Sequence, residues 1–129
     1  MINYGFQKKL KLDFDSALEA VAEKLKLEGF GILTEIDVSQ TLKKKLDVEF
    51  PRYKILGACN PPFAFKALQA ETAIGLLMPC NAIVYEKDGD TYFAMVKPSV
   101  TMRAVGNPAL EPLAAEIEKK IERVFESLE

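Results

Sequence analysis

The 129-residue sequence predicts an α+β fold: a two-layer sandwich of about five strands in a mostly antiparallel sheet, with helices packed on one face. Three observations predict it. Segments that alternate apolar and polar residues are interspersed with segments whose apolar residues recur at three- and four-residue steps. Two alternating segments flank Lys87-Asp88-Gly89-Asp90, a hairpin turn that makes their strands antiparallel. The chain closes on Leu110, Ala114, Ile117, Ile121, Val124 and Leu128, the apolar stripe of a helix laid on a sheet. The length suits a single domain over 1–129.

Each element has its own local reason. Tyr4 to Leu12 alternates, with Tyr4, Phe6, Leu10 and Leu12 on one side and Lys9 and Lys11 on the other, as in a half-buried strand. Asp13 to Ser16 offers helix caps, and Ser16 with Glu19 fits a capping box if the helix starts there; Phe14, Ala17, Leu18, Val21, Ala22 and Leu25 share one face, and Gly29 supplies the stop. Gly31 to Val38 alternates through Ile32, Ile36 and Val38 as a second strand. Ser39 can cap a short helix carrying Leu42 and Leu46, with Lys43, Lys44 and Lys45 as its solvated face.

Tyr53 to Cys59 forms a short apolar strand, and Asn60-Pro61-Pro62 opens a helix to about Glu71, with Asn as N-cap and Pro in the first turn. The Asn60 side chain can cap that helix through the Phe63 N–H. Leu76 to Glu86 reads as a strand interrupted by Pro79, which implies a bulge or a sheet edge. Thr91 to Lys97 is the partner strand of the hairpin. Ser99 to Val105 is a turn or short helix, and the last helix runs from about Ala109 to Leu128 with Pro112 in its first turn.

Composition excludes several chemistries. The chain has no His, which removes the commonest general base and metal ligand and every Ser-His or Cys-His nucleophile pair. Two Cys without His cannot close a structural zinc site in one chain unless carboxylates join them, although two chains together could supply four thiolates. A net charge of −2 without a wide basic excess argues against nucleic acid, and no run approaches the length of a membrane span. Polar residues follow Met1 where a leader would be apolar, so the expectation is a soluble cytoplasmic protein with reduced thiols.

The charges are uneven. Ile55 to Val84 spans 30 residues and holds only Lys66 and Glu71, where the chain average of 28% predicts about eight. Both cysteines lie inside this gap, each followed by Asn and beside Pro: Cys59-Asn60-Pro61 and Pro79-Cys80-Asn81. Each pair marks an element boundary, where backbone groups are free for ligands. One reading makes both Cys buried small hydrophobes with the Asn satisfying turns. The other makes Cys59, Asn60, Cys80 and Asn81 a paired site for a ligand, a soft metal ion or redox chemistry. A nucleophilic Cys would need Lys54, Lys97, Arg103 or the helix end to activate it, and no recognisable catalytic constellation is present.

The segment ILGACNPPFAFKALQAETAIGLLMPCNAIVYEKDGDTYFAMVKP, followed by AVGNPALEPLAAEIEKKIERV, resembles the domain of unknown function 302 family over almost the whole chain. The shared pattern is Gly57, Cys59, Asn60, Pro61, Pro79 and Cys80, with Lys54, Ala67 and Leu68 around it. The resemblance implies a TATA-box-binding-protein-like topology and a homodimer in the bacterial or archaeal cytoplasm. It implies no activity, and a topology shared with a DNA-binding saddle transfers no DNA binding.

Three functional expectations follow. The first is a homodimeric small-molecule or metal-ion binding module with a Cys-Asn lined site in the sparsely charged segment. The second is thiol redox or sulfur transfer at Cys59 with Cys80 as resolving partner. The third is a non-catalytic interaction domain without a site. The sequence identifies no cofactor.

Overall fold

A computed structural model describes residues 2–129. Five strands form one sheet: β1 (Gly5–Leu10), β2 (Gly31–Asp37), β3 (Tyr53–Cys59), β4 (Cys80–Lys87) and β5 (Asp90–Val96). Their order is β1-β5-β4-β3-β2, and every neighbouring pair is antiparallel. The helices are α1 (Phe14–Leu27), α2 (Val38–Leu46), α3 (Pro61–Ala70), α4 (Pro98–Arg103) and α5 (Glu111–Glu126), with 3-10 turns at Thr72–Leu77 and Pro108–Leu110. This is the expected α+β arrangement of an antiparallel sheet with helices packed on it.

Strand alternation divides the sheet into two faces. Register places Phe6, Leu10, Phe93, Met95, Ala82, Val84, Leu56 and Ala58 on the inner face. There they join Phe14, Ala17, Val21 and Leu25 of α1 and Ile117, Ile121 and Val124 of α5 in one core. Phe125 seals the join: its ring stacks on Phe93 at 4.2 Å and meets Phe6 at 5.4 Å. Burial of these side chains, at roughly 1.5–3 kcal/mol each, is what holds the helix layer on the sheet.

The ends of the chain are tied together. Lys8 lies on the inner side of β1, and its ammonium donates to the carbonyls of Phe125 and Leu128. A cation there completes the carbonyl end of α5 and opposes its dipole. The Lys11 N–H donates to the Glu129 carbonyl at 3.0 Å.

The structure corrects several local expectations. Of the caps offered between Asp13 and Ser16, Asp13 is the one used: its Oδ1 accepts the Ser16 N–H at 2.8 Å, so the helix begins at Phe14 and the Ser16-Glu19 capping box does not form. Asp37, not Ser39, caps α2 by accepting the Gln40 N–H at 3.0 Å, and Val38 is therefore helical and not the end of a strand. A bulge between Ile32 and Thr34 breaks the alternation of β2, placing Ile32 opposite Ala58 and Ile36 opposite Ile55, on different faces. Tyr4 precedes β1 and is 61% exposed.

The largest correction concerns Pro79. The apolar run Leu76-Leu77-Met78 is not strand; it closes a 3-10 turn anchored by the single buried side chain of Ile74. A cis Met78–Pro79 peptide follows, and β4 begins only at Cys80. Pro79 thus stands before the strand, where its missing N–H costs no ladder bond, and β4 is an interior strand between β3 and β5.

Candidate functional site

The two Cys-Asn pairs end one strand and begin its neighbour. Ala58 and Cys80 face each other across β3 and β4, as do Gly57 and Asn81. Alternation then turns Cys80 inward and Cys59, Gly57 and Asn81 outward.

Cys80 is 8% exposed and carries a free thiol. Burial, with the neighbouring Cys59 adding to it, pushes this thiol up to about 11, so Cys80 is neutral near pH 7. Cys59 is also free and half-buried.

Asn60 does not cap α3 with its side chain. Its Nδ2 donates instead to the Glu28 carbonyl at 3.2 Å, at the C-terminus of α1. The chain leaves α1 through Gly29 at a positive φ of 87°, and a Cβ there would come within 3.1 Å of Asn60 Nδ2. Asn60 is therefore a buried clasp between α1 and the start of α3, a role in which its amide replaces a missing helix partner.

Asn81 is exposed. Between it and Cys59 lies Gly57, roofed by Thr34 and Pro79: a Cβ on Gly57 would sit 2.8 Å from Pro79 Cγ and collide with Thr34 Oγ1. The structure brings Cys59, Gly57, Pro79 and Asn81 together at one corner of the outer face, and turns Cys80 and Asn60 into the interior.

The two asparagines border different cavities. Asn60 edges one of about 410 Å³ on the helix side, beside Phe63, Lys66, Ile117 and Lys120. Asn81 edges a hollow of about 220 Å³ on the outer face, lined by Tyr4, Gly5, Ile83, Ala94 and Val96. Lys54 is bound to Glu35 at 2.6 Å, and the Lys97 ammonium stands 4.9 Å above the Phe6 ring, so each has a partner of its own. Among the described residues no three His, Cys, Asp or Glu side chains gather where they could hold a metal ion.

Two outward features went unread in the sequence. Thr34 covers Gly57 only because of the β2 bulge. Tyr53, Tyr85 and Tyr92 stack across three strands at 5.5 and 5.3 Å, and Gln7 Nε2 donates to the Tyr85 hydroxyl. The symmetric placement of Tyr85 and Tyr92 about the Asp88-Gly89 turn was the available signal for that ladder.

A family model described as "Domain of unknown function DUF302" matches residues 6–128. The chain belongs to the DUF302 family. It is also similar to a crystal structure of an uncharacterized conserved DUF302 protein from Bacillus stearothermophilus, with a TM-score of 0.92 and 29% identity over 99% of this chain and 100% of that one. No curated protein matches. In this DUF302 chain the glycine and the second proline of the Gly-x-Cys-Asn-Pro and Pro-Cys-Asn segments meet directly, which gives both a packing reason. Among the described residues, no helix of the DUF302 chain is long and apolar enough to cross a membrane.

Proposed function

We propose that the chain is a homodimeric small-molecule binding module whose two copies meet through the outer face of the sheet, with Cys59 and Asn81 as the polar groups at the site. What supports this reading is the chemistry of that face. It carries Ile36, Ile55, Ile83, Ala94, Val96 and the tyrosine ladder, and its charged residues Lys9, Lys87 and Asp90 are confined to the hairpin end.

Symmetry, and not size, favours a second copy as the occupant. Five strands about 4.8 Å apart and about 20 Å long give a footprint near 500 Å² before side-chain relief is counted. A stable interface takes about 800 Å² of accessible surface per partner. A two-fold axis sets like against like, and a face without charge at its centre has no self-repulsion to overcome.

The thiol-redox alternative asks Cys80 to serve as a resolving thiolate, which its burial opposes. The soft-metal alternative has two thiols on opposite faces of the sheet.

Light scattering on the eluted protein tests the assembly. The expected mass is twice 14.4 kDa, and Ile36→Glu, at a half-exposed position, is expected to give a folded monomer. A wild-type mass of one chain at high micromolar concentration overturns the reading.

A further inference from the structure

We infer that the cavity where α3, α5 and the end of α1 meet binds a small carboxylate with a mainly apolar body and one N–H or O–H donor. The cavity belongs to the helix layer, away from the outer face of the sheet, and the inference does not rest on the homodimer reading. Its volume of about 410 Å³ on a single copy is that of a small-molecule site, roughly 300–1,000 Å³.

The charges of the lining select an anion. Lys66 of α3 and Lys120 of α5 border the cavity, and among the described residues neither is held in an ion pair. Of the two carboxylates beside them, Glu28 is neutralised by Arg123 at 2.9 Å, which leaves Glu116 to set against two ammonium groups. The first turn of α3 adds to this bias. Pro61 and Pro62 bring no N–H and the Asn60 side chain does not cap, so the Phe63 N–H stands without an acceptor at the positive end of that helix.

Asn60 selects the donor. It is 8% exposed, and the bond from its Nδ2 to the Glu28 carbonyl fixes the plane of its amide. Its Oδ1 accepts from no described residue, and among those residues no side-chain oxygen or nitrogen is both sealed and unpartnered. That oxygen is therefore open, and the cavity is what Asn60 borders. An amide oxygen can only accept, so the ligand must bring the proton. Leu27, Phe63, Leu113 and Ile117 supply apolar wall for the remainder of the molecule.

Three probes, titrated separately into the ¹⁵N-labelled wild-type protein, test this by NMR: indole-3-acetate, its neutral isostere indole-3-acetamide, and 1-naphthylacetate, which keeps the charge and lacks the N–H. Indole-3-acetate is expected to shift the Asn60 side-chain amide and the Phe63 N–H. The acetamide should bind about tenfold more weakly for want of charge-assisted hydrogen bonds, and the naphthyl compound about fivefold more weakly for want of one neutral bond. Lys66→Met with Lys120→Met, at an exposed and a half-buried position, should lower indole-3-acetate to the level of the acetamide and leave the acetamide unchanged. Raising the salt to about 0.5 M should weaken the anion alone in the wild type, a check that needs no variant. A wild-type protein blind to indole-3-acetate, equal affinity for the acid and the amide, or binding unchanged in the double variant overturns the inference. Shifts confined to residues of the outer sheet face overturn it too. None of these outcomes touches the mass by light scattering, so the homodimer reading stands or falls separately.

Discussion

Pro79 closes over Gly57, so the residue leading into β4 covers the backbone of β3 on the outer face. A Cβ at Gly57 would stand 2.8 Å from Pro79 Cγ and overlap Thr34 Oγ1. Gly57→Ala is therefore expected to destabilise the protein by about 1–3 kcal/mol, the usual cost of overpacking. Urea denaturation checks it. Adding Thr34→Ala should recover part of the loss, because one of the two obstructing groups is removed.

The two thiols should behave differently in the native protein. Iodoacetamide near neutral pH is expected to modify Cys59 and to reach Cys80 only on unfolding, as mass spectrometry of the digested protein would show. Cys80 titrates at about 11 in the folded chain and near 8.5 when unfolded. Its neutral form is thus favoured by folding: the contribution is complete below about pH 8.5 and is lost as pH rises through about 11. Denaturation midpoints across this range should fall in the wild type and fall less in Cys80→Ala.

Asn60→Ala should lower the thermal midpoint by several degrees. It removes the hydrogen bond to the Glu28 carbonyl and leaves that acceptor short of a partner, worth about 1–2 kcal/mol. Asn60→Asp should be at least as damaging, since a carboxylate would then face a carbonyl oxygen. Calorimetry distinguishes this from a binding role, because the loss must appear without any added molecule.

Acid should weaken both N-caps. The Ser16 N–H holds the Asp13 carboxyl below the ordinary carboxylate range, and the Gln40 N–H does the same for Asp37. Each contribution is present above about pH 4, the unfolded value, and is lost as pH falls through the lower folded value. Asp13→Asn keeps an acceptor but cannot titrate. Its stability deficit against wild type, followed by denaturant melts from pH 7 downward, should shrink as the solution becomes more acidic than pH 4.

The legible parts of the fold were those whose causes are local. Tyr53–Cys59 declares itself by its apolar run, α3 by Asn60-Pro61-Pro62, the β4–β5 hairpin by Asp88-Gly89, and α5 by its apolar stripe. What stayed hidden was non-local. Leu76-Leu77-Met78 has the composition of a strand, but Leu76 and Leu77 end a 3-10 turn whose buried side chain is Ile74. The cap of α1 is narrowed only to Asp13 or Ser16 by the sequence, because both are good caps and local preference does not choose between them. At the candidate site, the sequence marked the Cys-Asn repeat but not its division between two faces. That division follows from strand alternation on Ala58 and Cys80, whose register is set by pairing across the sheet. The partner of Asn60 lies 32 residues earlier in the chain, beyond the reach of any motif.

The clasp between Lys8 and the carbonyls of Phe125 and Leu128 also bears on how the protein is made. β1 leaves the ribosome before the other four strands, yet among the described residues its sheet neighbour is β5, and its lysine has no carbonyls to hold until α5 is complete. The central hairpin and β3 can assemble while synthesis continues, but the first strand must wait, with Phe6 and Leu10 uncovered, for almost the entire chain. Birth order and assembly order are reversed for this one strand, and a truncation that removes the end of α5 should leave β1 held by β5 alone.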